Sequence, residues 1–280
     1  MYKVDNAIIL AAGTSSRFAP LSYETHKALL EVKGEILIER QIRQLQDVGI
    51  KDIYVVVGYK AELFEYLKGK FGVTLIVNEE YAVKNNISSI WAAKDHIANS
   101  YICSSDNYFA VNPFEEYVED SYYSVLFSEN ETDEWCVQSN DEDVITGVHI
   151  GGRHAWYMLG HVFWSEEFSR AFLQLLEEEY RLPDTGKMLW ENFYIKHIDA
   201  LKMKMRRYSA DDIFEFDSLQ ELRGFDKSYI DNTRSAILRI VAKSHACSER
   251  DITDIQAVVE KGKAVGFTYT VHGNVYSYLY

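Results

Sequence analysis

The chain has 280 residues, enough for one large α/β domain with an appendage or for two modest domains. Its 29 basic and 43 acidic side chains leave a net charge of -14, which argues against general binding to nucleic acid or to an anionic membrane, so any phosphate must be met by a local group of cations. Cys103, Cys136 and Cys247 lack metal-ligand spacing and suit reduced thiols, and the apolar runs are too short for a secretory signal or a membrane span, so a soluble, cytoplasmic protein is expected.

Residues 7–10 read as a buried strand of a parallel sheet. The small residues Ala11, Ala12, Gly13 and Ser15 follow, letting backbone N–H groups approach an anion, and Arg17 and Lys27 add fixed charge for phosphate oxygens. Together these residues predict a triphosphate cradle. Their spacing fits neither the dinucleotide fingerprint nor a Walker loop. Strands over 53–57, 73–77 and 101–104 alternate with helices over 36–48, 61–71 and 87–97, which predicts an α/β protein with a doubly wound, mainly parallel sheet. Ligands of such sheets sit beyond the carboxyl ends of the strands, where 13–17 and Ser105-Asp106-Asn107 both fall.

Over 122–164 the pattern changes to shorter strands rich in Val, Phe, Tyr and Trp, with turns at Asn140-Asp141-Glu142-Asp143 and Gly151-Gly152, which predicts a mixed or antiparallel β extension. Helices follow over 166–181 and 187–198. A last strand leads into Phe214-Glu215-Phe216-Asp217-Ser218, and Asp217 with Ser218 can cap a helix from Leu219. Beyond 224 the character alters to a small C-terminal appendage, with an amphipathic helix over 229–242 and a hairpin of 267–271 and 275–279 around His272-Gly273-Asn274. His149, His154 and His161 match no compact metal motif and read as strand or loop histidines, and Glu177-Glu178-Glu179 reads as a solvated helix face.

Chemistry at a triphosphate calls for a divalent metal to offset phosphate charge, and hard Mg²⁺ prefers carboxylate and phosphate oxygens. Asp106 and Asp217, at strand ends, are the best placed carboxylates, although each reads equally as a capping aspartate. Trp135, Trp190, Glu191 and Glu215 offer aromatic faces and carboxylates of the kind that can hold an organic cation, and a plain aromatic core explains either tryptophan as well. Asn85 and Asn86 suit the reading of a base edge or an ordinary turn and helix start.

Leu10-Ala11-Ala12-Gly13, Arg17, Pro20 and Lys27-Ala28-Leu29 resemble the opening signature of the nucleotidyltransferases that make NDP-sugars and CDP-alcohols. Two positions depart from it: Ser15 stands where a second glycine is common, and His26 where proline usually precedes the lysine. Ser105-Asp106-Asn107-Tyr108, Thr132-Asp133-Glu134-Trp135, Leu189-Trp190-Glu191-Asn192 and Phe214-Glu215-Phe216-Asp217-Ser218 then occur in the order of the bacterial CTP:phosphocholine cytidylyltransferases, with similarity over 6–224. The resemblance implies a Rossmann-like nucleotidyltransferase domain over 1–224 that converts CTP and phosphocholine to CDP-choline and pyrophosphate. It implies Mg²⁺ on Asp106 and Asp217, and CTP phosphates at the loop of Leu10, Ala11, Ala12 and Gly13, with Arg17 assigned to the β- and γ-phosphates and Lys27 to the CTP phosphates or the incoming phosphate. It also implies that Asn85, Asn86 and Ser89 lie near cytosine and ribose. The same phosphate machinery would serve a sugar-1-phosphate or another phospho-alcohol, and a non-catalytic nucleotide-binding module is the alternative outside enzymes.

The appendage, 225–280, carries a second resemblance. Residues 245–280, including Ser248-Glu249-Arg250-Asp251-Ile252 and Lys261-Gly262, resemble the beginning of a bacterial choline kinase and stop before its catalytic motifs, so no phosphorylation by this segment is implied. A lone hairpin is marginal in water, so 267–280 is expected to pack on the main domain or on a second subunit as a homo-oligomer contact.

Overall fold

The computed structural model describes residues 1–260 and 263–280; Lys261 and Gly262 of the tail motif lie outside the described residues. The chain divides into two compact units, Met1–Gly13 with Glu39–Glu215, and Thr14–Ile38 with Phe216–Tyr280. The second unit thus draws on two separate stretches, an arrangement that a single boundary after residue 224 does not express.

The first unit is built on a nine-stranded sheet. Asn6–Ala11 lies in parallel between Ser100–Ser104 and Ile53–Val57, and Thr74–Val77 continues the parallel set. Ala7, Ile8 and Ile9 are fully buried, as an apolar run covered on both faces requires. Ala155–Trp164 then pairs antiparallel with Ser100–Ser104 and with Tyr122–Ser128, while Lys204–Arg207 adds to Tyr122–Ser128 in parallel. Thr132–Ser139 and Ile145–Gly152 form the edge hairpin of this mixed extension. Gly151 and Gly152, expected to turn, end a strand; the reversal comes at Arg153 and His154, where His154 takes a positive φ of 49°.

Helix bounds tighten where local chemistry stops them. The expected helix over 61–71 divides into a 3-10 turn, Ala61–Phe64, and an α-helix, Tyr66–Phe71, closed by Gly72 at φ 72°. That over 87–97 shortens to Ile87–Ala93 before a 3-10 turn. Glu166–Glu179 begins at Ser165, whose hydroxyl accepts from the Phe168 N–H at 3.3 Å. Among the described residues no helix is long and apolar enough to cross a membrane.

In the second unit, Leu219–Phe225 and Ala236–Ser244 precede a three-stranded antiparallel sheet, Thr253–Glu260, Lys263–Val271 and Asn274–Leu279. The hairpin turns at His272 and Gly273, both at positive φ, as expected. Its third strand, Thr253–Glu260, was not legible as a strand, and it is what removes the marginality of an isolated hairpin. The helix expected over 229–242 starts only at Ala236, because Arg234 adopts φ 63° and Ser235 caps the new start by accepting from the Leu238 N–H at 3.0 Å. Phe267, Val271, Ile252 and Leu238 form the buried side of this unit. Gly266 is required by close approach, since a Cβ there would stand 2.1 Å from the Tyr278 carbonyl oxygen. Buried Arg223 ties Leu219–Phe225 to the turn that leads into the first strand of this sheet, donating to the carbonyls of Glu249 at 2.7 Å and Ile252 at 2.8 Å.

Candidate active site

In the first unit the strand Asn6–Ala11 delivers the small-residue loop at its carboxyl end. Leu10 and Ala12 carbonyls are fixed by the N–H groups of Ser105 at 3.3 Å and Tyr59 at 3.1 Å. Gly13 is exposed, and a Cβ built on it meets no atom within 4 Å, so the glycine leaves open space beside the backbone. That is the shape a phosphate cradle needs. Asp106 lies in the tight turn between Ser100–Ser104 and Asn107–Phe109. Asn107 is 1 % exposed and donates to the Glu215 carboxylate at 3.4 Å, across the strand pair that Asn107–Phe109 makes with Ile213–Glu215.

A second group of the first unit gathers at the start of the helix Trp190–Lys196. Asn192 accepts from the Leu189 N–H at 3.1 Å, so the Leu189-Trp190-Glu191-Asn192 motif is a helix start that turns Glu191 inward. Asn86 Oδ1 accepts from the Trp190 N–H at 2.7 Å, and its amide nitrogen donates to Glu191 at 3.3 Å. Tyr123 also donates to Glu191. Loss of hydration pushes the Glu191 carboxyl up to about 7, against the hydrogen bonds from its own N–H, Asn86 and Tyr123. Burial raises the Tyr123 hydroxyl well above its ordinary range, and the charges of Glu191 and Glu215 add to this. Tyr157 is raised by burial and then by Glu134 and Glu215. Glu134, Glu191 and Glu215 therefore make this aromatic region electronegative.

Several expected ligand residues are already engaged with protein. Trp190 is 4 % exposed, its ring packed against Tyr123, Trp164 and Phe172, so it belongs to the core and is not an open face for a cation. Trp135 is half-buried against the same apolar cluster. Asn85 donates its N–H to the Gly186 carbonyl at 2.7 Å and its amide to that of Lys187 at 3.3 Å. Ser89, 3 % exposed, accepts from Asn78 at 3.1 Å. Asn85, Asn86 and Ser89 thus join the helix Ile87–Ala93 to its neighbours. His161 is a core histidine, held neutral because burial lowers it to about 3, with the Tyr122 hydroxyl 2.9 Å from Nε2.

In the second unit the signature cations meet the second aspartate. Arg17 Nη1 lies 2.8 Å from Asp217 Oδ2, and Lys27 Nζ lies 3.5 Å from Asp217 Oδ1. Arg17 has 78 % of its side chain exposed, whereas Lys27 has 5 %. Ser218 is the cap of Leu219–Phe225, accepting from the Glu221 N–H at 3.2 Å, so helix capping does not consume the Asp217 carboxylate. Both departures from the signature find a local reason. Ser15 sits at φ 48°, the left-handed region that favours glycine. His26 sits at φ -78°, near the value of about -65° that proline would impose, and its Nδ1 accepts from the Ala28 N–H at 3.1 Å.

Asp106 and Asp217 offer hard oxygen donors of the kind Mg²⁺ takes, and Asp217 remains 40 % exposed while holding both cations. Asn107 and Tyr123 were not singled out by sequence. Asn107 adjoins Asp106 within a quoted motif, which is a usable signal. Tyr123 reads as an apolar-face strand residue, and nothing local to it announces Glu191.

The mainly parallel sheet, with the open glycine loop at the carboxyl end of its strand Asn6–Ala11, suits a nucleotidyltransferase. Residues 7–182 match the family model of the MobA-like NTP transferase domain, and the chain belongs to that family. It is 33 % identical over 221 residues to the choline-phosphate cytidylyltransferase of Streptococcus pneumoniae, covering 79 % of this chain and 96 % of that one. It is 34 % identical over 239 residues to the 2-aminoethylphosphonate cytidylyltransferase of Lancefieldella rimae, covering 82 % and 95 %. The solved structure of the CTP:phosphocholine cytidylyltransferase of S. pneumoniae superposes with a TM-score of 0.77 at 33 % identity, over 81 % of this chain and 99 % of that chain.

Proposed function

We propose that this nucleotidyltransferase uses CTP and phosphocholine to form CDP-choline and pyrophosphate. The observation that carries the choice of acceptor is the group of Tyr123, Glu191 and Glu215, where carboxylate charge is concentrated among aromatic rings. A trimethylammonium group can be held by charge and ring faces alone. A phosphate oxygen of phosphocholine attacks the α-phosphorus of CTP, a new P–O bond forms, and the bond to the bridging oxygen breaks to release pyrophosphate. The nucleophile is already anionic, so positioning and charge neutralisation carry the step and no strong base is required.

Arg17 and Lys27, gathered at Asp217, are assigned to the CTP phosphates, with the exposed Arg17 toward the departing pyrophosphate. Asp106 and Asp217 would hold Mg²⁺, which would supply charge neutralisation at the α-phosphate and at the leaving group. Glu191 and Glu215 hold the ammonium end, and Tyr123 fixes the Glu191 carboxylate by its hydrogen bond.

A second reading is favoured by the 2-aminoethylphosphonate relative, because a primary ammonium also suits this carboxylate group and adds N–H donors. Competition between phosphocholine and 2-aminoethylphosphonate in a CTP-dependent pyrophosphate assay separates the two. Two further parts of the reading concern the tail. The resemblance of residues 245–280 to the start of a choline kinase agrees with choline chemistry. Self-association through the exposed edge strand Asn274–Leu279 is tested by sizing the chain in solution: a strict monomer rejects it.

A further inference from the structure

Residues 14–38 carry Arg17 and Lys27, and within the second unit their support comes from the C-terminal stretch. The Glu24 carboxylate covers the start of the helix Ala236–Ser244, accepting from the Ser235 hydroxyl and from the N–H groups of Ala236 at 2.7 Å and Ile237 at 3.2 Å. A carboxylate there satisfies free helix donors and meets the positive end of the helix dipole. The neighbouring Tyr23 lies flat on Tyr280, with ring centroids 3.7 Å apart and 8° between planes. Tyr280 is placed by its own N–H, which donates to the Val265 carbonyl at 3.0 Å. The turn Ser16–Phe18, which contains Arg17, rests against the strand Thr253–Glu260. The segment is held at its far end as well, since the Tyr229 hydroxyl donates to the Glu31 carbonyl at 2.8 Å and the Lys33 N–H to Asp226 at 2.7 Å.

We propose that the C-terminal stretch is a positioning clamp for the phosphate-binding segment. It fixes the short helix Leu21–Glu24, between Arg17 and Lys27, through Tyr280 on Tyr23 and the start of Ala236–Ser244 on Glu24. The consequence for catalysis rests on the reading of Arg17 and Lys27 as phosphate ligands. Tyr23 is 46 % exposed, so its stack on Tyr280 is a surface contact that orients the helix without being buried in the unit's core. Loosening the clamp disturbs the cations that meet CTP and leaves the Tyr123 and Glu191 group of the other unit as it is.

The test uses the full chain with Tyr280→Ala, Tyr280→Phe and Tyr23→Ala, measuring KM separately for CTP and phosphocholine and hydrogen exchange across residues 14–30. Tyr280→Ala and Tyr23→Ala are expected to raise KM for CTP about three- to tenfold, leave KM for phosphocholine unchanged and speed exchange in 14–30, with Tyr280→Phe restoring both. An unchanged KM for CTP, equal rises for both substrates, or failure of Tyr280→Phe to restore function overturns the clamp. If Tyr280→Ala does not fold, Tyr23→Ala carries the same comparison from the other ring. If the unaltered chain releases no pyrophosphate from CTP, the functional reading fails, and exchange alone decides the clamp: faster exchange in 14–30 supports it, and unchanged exchange overturns it.

Discussion

Lys27 places its ammonium 3.5 Å from the Asp217 carboxylate while keeping only 5 % of its side chain exposed. A cation so enclosed is costly unless an anion stands beside it. Asp217 supplies that anion, and the same carboxylate holds the solvent-exposed Arg17 at 2.8 Å. The cations expected at the triphosphate are thus assembled by an aspartate distant in sequence.

Exchanging Lys27 for an uncharged side chain of similar length should separate function from folding. Lys27→Met is expected to lower kcat/KM for CTP about 10²- to 10³-fold while the melting temperature holds or rises. Asp217→Ala should instead lose about 1–3 kcal/mol of stability, because the enclosed ammonium loses a partner. Denaturant unfolding of both single variants and the double variant checks this. The double variant should recover part of the Asp217→Ala loss, and simple additivity would count against the coupling.

Asp106 is in a turn and half-buried, so Asp106→Asn should leave the melting temperature within about 2 °C and reduce turnover about a hundredfold or more. Thermal scans beside single-turnover kinetics make the comparison. Equal losses in both would assign Asp106 to structure.

Glu191 carries a pH dependence whose sign follows from its raised value of about 7. Below that pH the carboxyl is neutral and attracts a cation less, so KM for phosphocholine should rise as pH falls through about 7. Phosphocholine itself titrates near pH 6, so the diagnostic quantity is the difference between the unaltered chain and Glu191→Gln, which should vanish at low pH. Stability runs the opposite way. Between the ordinary value of 4.5 and about 7 the folded state holds the extra proton, so the contribution of Glu191 to stability falls as pH rises through that window. Glu191→Gln should flatten this part of a stability profile measured by denaturant unfolding.

The core position of Trp190 makes its truncation chiefly a folding defect. Trp190→Ala is expected to cost about 3–5 kcal/mol through the cavity it leaves. Urea unfolding measures it. Unchanged stability with a raised KM for phosphocholine would mean that the ring serves the ligand after all.

The parallel core was legible because its signals are local. Apolar runs between helix-forming stretches gave the strands Asn6–Ala11, Ile53–Val57, Thr74–Val77 and Ser100–Ser104 nearly to their ends. The hairpin at His272 and Gly273 and the cap at Ser218 were legible for the same reason, since turn and cap chemistry sit in adjacent residues. What was hidden depends on distant partners. Thr253–Glu260 becomes a strand by pairing with Lys263–Val271, and Trp190 becomes core because Tyr123, Trp164 and Phe172 surround it. The bonds of the Asn86 amide to the Trp190 N–H and to Glu191 join residues more than a hundred positions apart, and only the folded chain shows them. Arg17, Lys27 and Asp217 were each named from motifs, while their meeting at one carboxylate required the fold.

The most direct test is pyrophosphate release with Mg²⁺ and each NTP, crossed with phosphocholine, 2-aminoethylphosphonate, phosphoethanolamine and sugar-1-phosphates. Release confined to CTP with phosphocholine, or at least tenfold faster with that pair than with any other, is the predicted result. Faster turnover with an unmethylated amine or a sugar-1-phosphate would contradict the assignment of the acidic aromatic group to choline, and silence across the panel would contradict nucleotidyl transfer to these acceptors.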